Sequence, residues 1–234
     1  MSVRFVPLNR PLRIEVEGQR PSLDESAHAS WQTAQRENPR LFDGPILAVR
    51  SVDVAAGLIV ARPDRFAHVV CQPGGRDLPT TILSVTGVIE AGDPDAIRVL
   101  LARRGAQTRS YPGMWEFAPA GGLESPESSG SLGLEGIMQT LRAELREEVG
   151  VASPLCDARA IGIVFDSRAR SLDVVIRARI EGETPTLQPG AERAWECADA
   201  RWVDAARLER TLEELDGGVI EPTLEIARHL ERST

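Results

Sequence analysis

Residues 143–151 read AELREEVGV and carry the first chemical signal in the chain. Glu144, Glu147 and Glu148 fall in the last turns of an expected helix that stops at Gly150. Positions three and four apart share a helix face, and like charges there destabilise by roughly 0.2–0.5 kcal/mol per pair. Negative charge near a helix C-terminus also opposes the macrodipole. Arg142 and Arg146 stand at neither spacing from the three glutamates, so no local cation relieves them. Such a cluster needs positive charge from elsewhere. A hard divalent ion, whose preferred ligands are carboxylate oxygens, is the usual source.

The elements that must position these carboxylates follow from pattern. Residues 137–149 form the acidic helix. Its apolar stripe of Ile137, Met138, Leu141, Leu145 and Val149 lies beside the glutamate arc rather than opposite it. The carboxylates therefore line the edge where the helix meets a sheet. Strands are expected at 81–92, 97–105, 114–118, 158–165, 172–180 and 200–204, with amphipathic helices at 205–215 and 222–231. Residues 124–133 are small and polar and read as loop. Upstream, 3–17 holds one or two short strands. Residues 22–38 suit a helix with Ser22 as N-cap, and 46–54, 57–61 and 66–71 read as strands. The segment 72–79 is the best linker, which divides the chain into 1–79 and 80–234. Strands followed by isolated helices, without regular alternation, give an α+β fold.

Composition narrows the function. The chain has 234 residues, 42% hydrophobic and 26% charged, which suits a packed core rather than disorder. A net charge of −8 argues against nonspecific nucleic-acid or membrane-surface binding. All 27 basic side chains other than histidine are arginine, which excludes a Schiff-base or P-loop lysine. Cys71, Cys156 and Cys197 are widely spaced and fit reduced thiols in a cytoplasmic protein. No signal-peptide run or membrane-length apolar stretch is present.

The glutamates also belong to a longer pattern, and it resembles the Nudix hydrolase family. The family signature is G-x5-E-x7-R-E-U-x-E-E-x-G-U, with U a bulky aliphatic residue. Glu144, Leu145, Glu147, Glu148, Gly150 and Val151 match its second half, and Glu135 lies nine residues before Glu144. Upstream, YPGMWEFAPAGGLE resembles the family's approach strand, and ARWVD with the helix after it resembles the closing elements. The resemblance runs from about Thr80 to the end of the chain. It implies an α/β/α sandwich with a mixed sheet, preceded by a small β-rich extension with one helix.

Two departures stand out. Ala143 occupies the signature arginine position, four before Glu147. Gly122 lies thirteen residues before Glu135 where the signature has six, so seven residues are inserted. A longer flexible loop costs only about 0.6 kcal/mol per doubling. Both departures, and the segment Asn38-Pro39-Arg40-Leu41-Phe42-Asp43-Gly44-Pro45 after Trp31, are similar to the Nudix branch that hydrolyses UDP-glucose and UDP-galactose.

That resemblance implies a metal-dependent diphosphatase of nucleotide-sugars, with other substrates open: ADP-ribose, dinucleotides or nucleoside triphosphates. A non-hydrolytic sensor on the same fold and a plain interaction module are readings from other classes. In the enzyme reading, Glu144 and Glu148 bind Mg2+ or Mn2+, and Glu147 is a third ligand or a water-orienting base. Glu135 joins them only if the helix begins after it. Gly121 and Gly122 let backbone approach the metal–phosphate group. Arg103, Arg104 and Arg109 are candidates for phosphate. Tyr111, Trp115 and Phe117 are candidates for stacking on a base, although Trp115 and Phe117 share a strand face and suit a core equally. Glu192 and Glu196 lie in the late loop where some family members keep a base. A homodimer stays open, and neither nucleic acid nor membrane is an expected partner.

Overall fold

Residues 82–91 alternate, placing Ser84, Thr86 and Val88 on one face and Leu83, Val85 and Ile89 on the other. This strand, β5 (Ile82–Ala91), is the junction of the molecule. The computed structural model describes residues 2–71, 80–124, 130–188 and 195–232. One side of β5 pairs in parallel with β11 (Ser171–Ile180), which continues antiparallel to β10 (Leu155–Asp166) and then β1 (Val3–Pro7). Antiparallel partners of β5 are β3 (Pro45–Asp53), β6 (Arg98–Arg104) and β8 (Ala120–Gly122). β6 also pairs with β7 (Trp115–Phe117) and β12 (Cys197–Asp204). Among the described residues the mixed sheet has 12 strands.

Helices cover both faces. On one, α3 (Leu134–Val149) presses Ile137, Met138, Leu141, Leu145 and Val149 onto Leu83, Val85 and Ile89. On the other, Leu212 of α4 (Leu208–Glu214) and Ile226 of α5 (Glu221–Glu231) share a core with Val88, Trp115, Phe117 and Val175. The expected α+β sandwich is therefore present. No helix among the described residues is long and apolar enough to cross a membrane.

The N-terminal segment is woven into the same sheet. β3 and β1 pair with strands of the later part. β4 (Leu58–Arg65) pairs with β3 and with β2 (Arg13–Val16). The proposed linker, 72–79, lies outside the described residues.

Several expectations need correction. The first helix, α1, spans Glu25–Glu37 and is capped by Asp24, whose side chain accepts from Ala27 N at 2.9 Å; Ser22 is not the cap. Residues 66–71 form the short helix α2 (Phe66–Cys71), not a strand. A six-residue, mostly apolar run is ambiguous by period, and Asp43 favours the helix by accepting from Ala67 N at 2.9 Å. Part of the expected loop 124–133 is extended: β9 (Gly130–Leu132) pairs with β2. Finally, α3 starts at Leu134, three residues earlier than its apolar stripe suggests.

Candidate active site

The carboxylate end of α3 faces a cleft of about 500 Å3. Gly150 stops the helix in the left-handed region (φ 71°), and its N–H bonds the carbonyls of Arg146 and Leu145. The stripe of Leu141 and Leu145 sits on the sheet, which turns the adjacent Glu144 and Glu148 toward the cleft. Opposite them lie Gly121 and Gly122 of β8 and Ser84 of β5. A Cβ on Gly121 would stand 2.4 Å from Glu144 Oε1. A side chain at this position would meet the Glu144 carboxylate unless that side chain moved.

Two strand residues complete the floor. Glu116, between Trp115 and Phe117 on β7, is buried yet lines the cleft. Arg104 on β6 donates from Nη1 to Glu116 Oε1 at 2.6 Å and from Nε to Ser110 O at 2.9 Å. Burial acts to lower the Arg104 guanidinium, but Glu116, Glu148 and Glu196 outweigh it and the pKa is raised. Glu116 is raised, by burial first, with Arg104 2.6 Å away drawing it down. Glu148 is pushed well above the usual carboxylate range, first by burial, then by Glu116, Glu144 and Glu196, with Arg104 acting against them. Glu196 lines the cleft as well, and its carbonyl accepts from Gly105 N at 2.7 Å.

The far wall comes from the N-terminal segment and the late loop. Asn38, Arg40, Leu41, Phe42 and Gly44 line it, together with Trp195. Phe42 is 77% exposed and Trp195 38%, unusual for large apolar side chains, and Arg40 lies 5.8 Å from the Trp195 ring centroid. Arg109 also lines the cleft, bonding Val69 O at 3.4 Å; burial and the nearby Arg170 lower its pKa.

Other expected site residues stand elsewhere. Glu135 lies inside α3, exposed, and meets Arg142 at 2.6 Å, because the helix runs straight through Gly136. Glu147 is half-buried on the helix but does not line the cleft. Arg103 faces the other way and bonds Gly113 O and Asp216. Trp115 is fully buried, with its Nε1 donating to Asp216 O and Arg201 4.1 Å from its ring centroid. Phe117 is core, and Tyr111 is buried with its hydroxyl on Asp166 at 2.7 Å. Glu192 lies outside the described residues. Sequence reasoning missed Glu116, although a lone carboxylate inside an apolar WEF strand was a signal. It also missed Phe42 and Trp195, whose exposure no local pattern shows.

Among the described residues no three carboxylate, histidine or cysteine groups converge as a ready cage for one ion. The carboxylates of Glu144, Glu148 and Glu196 nevertheless offer oxygen donors, and Glu148 is crowded by Glu116, Glu144 and Glu196 with Arg104 opposing them. This fits a hard cation such as Mg2+, which keeps waters and takes substrate oxygens rather than demanding a full set of protein ligands.

The acidic end of α3 thus stands beside a glycine strand on a mixed sheet covered by helices. The family model of the NUDIX domain matches residues 80–222, more than half of the chain, and the chain belongs to the Nudix hydrolase family, which cleaves phosphoanhydride bonds. No curated protein matches it. Among solved structures it is similar to the NUDIX domain of Shewanella oneidensis NrtR complexed with ADP ribose: 20% identity, TM-score 0.48, covering 69% of this chain and 96% of that one. The MutT protein from Methanosarcina mazei Go1 is similar at 17% identity and TM-score 0.47, covering 65% and 94%. The Nudix hydrolase RenU from M. smegmatis is similar at 16% and 0.46, covering 65% and 85%.

Proposed function

We propose that the cleft hydrolyses a nucleoside diphosphate joined to a second moiety, with UDP-glucose or UDP-galactose split into UMP and the sugar 1-phosphate. One observation supports this substrate most directly. Asn38, Arg40, Leu41, Phe42 and Gly44, within the segment similar to the UDP-sugar branch, line the same cleft as Glu144 and Glu148. Phe42 and Trp195 offer flat apolar surface for a base, and Arg109 offers a guanidinium for phosphate.

Water adds to one phosphorus and the bridging oxygen leaves on the other phosphate. Glu144 and Glu148 are the residues that would hold Mg2+ or Mn2+, which neutralises the diphosphate charge and acidifies water. Glu196, which lines the same cleft, would hold the proton that the attacking water releases. Glu147, turned from the cleft, serves as a third ligand only if the helix end adjusts.

A panel of UDP-sugars, ADP-ribose, dinucleotides and nucleoside triphosphates with Mg2+ or Mn2+, read by phosphate-product release, tests the reading. UDP-glucose or UDP-galactose should be preferred. E148Q should lose about 100-fold or more in kcat. Turnover surviving within a few-fold would remove Glu148 from the mechanism, and no turnover on any member would favour a ligand sensor.

A further inference from the structure

Trp195 and Glu196 are consecutive turn residues, and both line the cleft. Neighbours on a regular strand would face opposite sides. The end of β6 is where this turn meets the sheet. Arg104, the last residue of β6, is in register with Cys197 of β12, and the register shifts between Cys197 and Asp199. One step further, Gly105 N donates to Glu196 O at 2.7 Å. The Gly105 carbonyl accepts from Thr108 Oγ1 at 2.9 Å and from Thr108 N at 3.3 Å. A Cβ built on Gly105 would fall on the Trp195 carbonyl, 2.7 Å from its carbon and 3.4 Å from Glu196 N. That neighbour is backbone, which cannot swing aside as a side-chain tip does. Gly105 has no left-handed φ, so the position uses the missing side chain and not conformational freedom.

We infer that Gly105 is a positioning residue: its bare backbone seats the chain at 195–196 against the end of β6 and so holds the Trp195 ring and the Glu196 carboxylate in the cleft together. The role rests on the cleft being the hydrolytic site, with Trp195 offering a surface to the base and Glu196 holding a proton. Arg40 fastens the other side of the same seat. Its guanidinium bonds Gln107 Oε1, in the turn that follows Gly105, and lies 5.8 Å from the Trp195 ring centroid. With any side chain at 105, ordinary contact returns only if the backbone moves on the order of 1 Å, and a misplacement of that size can cost about 100-fold in rate.

Kinetics of the full chain with UDP-glucose and Mg2+ test the seat. G105A should lower kcat at least about 10-fold and raise KM at least about 3-fold. A merely structural substitution would add its loss to any other. In the E196Q background, G105A should instead lower kcat no more than about 2-fold further, and in the W195A background it should raise KM no more than about 2-fold further. A larger further loss in either background, or a smaller effect of G105A on the wild type, overturns the inference. Hydrogen exchange on the wild-type chain is the second measurement, and it stands should G105A fail to fold. The Gly105 amide should exchange at least about 100-fold more slowly than an unprotected amide. Faster exchange overturns the inference. This measurement needs no substrate, so its failure is distinct from failure of the hydrolase reading, which shows as no turnover by the wild type.

Discussion

Single residues set the chemistry through space and charge. Gly121 leaves the room that the Glu144 carboxylate fills, with a built Cβ only 2.4 Å from Oε1. Gly121→Ala should therefore displace a flexible side chain, leaving the melting temperature little changed while turnover falls about 10- to 100-fold. An unchanged rate would show that Glu144 has slack. Asp173, on the strand beside Ser84, carries a carboxyl lifted from 3.8 to about 6 by burial first, with Glu116 adding to it and hydrogen bonds from Ser171 and Thr86 resisting. Such a group binds its proton more tightly folded than unfolded. Its contribution to stability is complete below 3.8 and lost as pH rises through about 6. The melting temperature of Asp173→Asn relative to wild type should rise between about pH 4 and pH 7. A difference constant over that range would place the Asp173 carboxyl at its ordinary value.

Elements turn those residues toward one another. α3 is held by an apolar stripe on one side and ended by Gly150 on the other. A Cβ at 150 would combine a left-handed backbone with a 2.9 Å approach to Gln188 Cβ. Gly150→Ala should cost about 1–2 kcal/mol, lowering the melting temperature by roughly 2–8 °C in calorimetry. A neutral result would mean that the chain after the helix can shift. The helix was legible because its stripe, acidic arc and glycine stop agree with one another. Its start was not, since Leu134 and Glu135 precede the stripe and Gly133 gives no side-chain cap. α2 was missed because a short, mostly apolar run fits either period and the hydrogen bond that favours the helix is accepted by Asp43, 24 residues from Ala67.

At the scale of the molecule, folding converts an acidic helix end into one wall of a cleft and the N-terminal segment into another. Mg2+ binding only the folded state should raise stability, by about 2.7 kcal/mol at a hundred times its dissociation constant. The rise should shrink in Glu148→Gln, as thermal melts with and without chelator would show; an equal rise in both would place the ion elsewhere. The sequence alone determined the family pattern, the α+β class, the acidic helix and the glycine pair, because each is written in local spacing: helical period, strand alternation and a stop glycine. Only the tertiary structure decided which charges meet. Glu135 went to an exposed ion pair, Trp115 to the core and Arg103 to the far side of its strand, while Arg104, Glu116, Phe42 and Trp195 came to the cleft. The physical reason is that facing across a cleft depends on how strands pair and helices seat, and residues far apart in the chain leave no period by which to find one another.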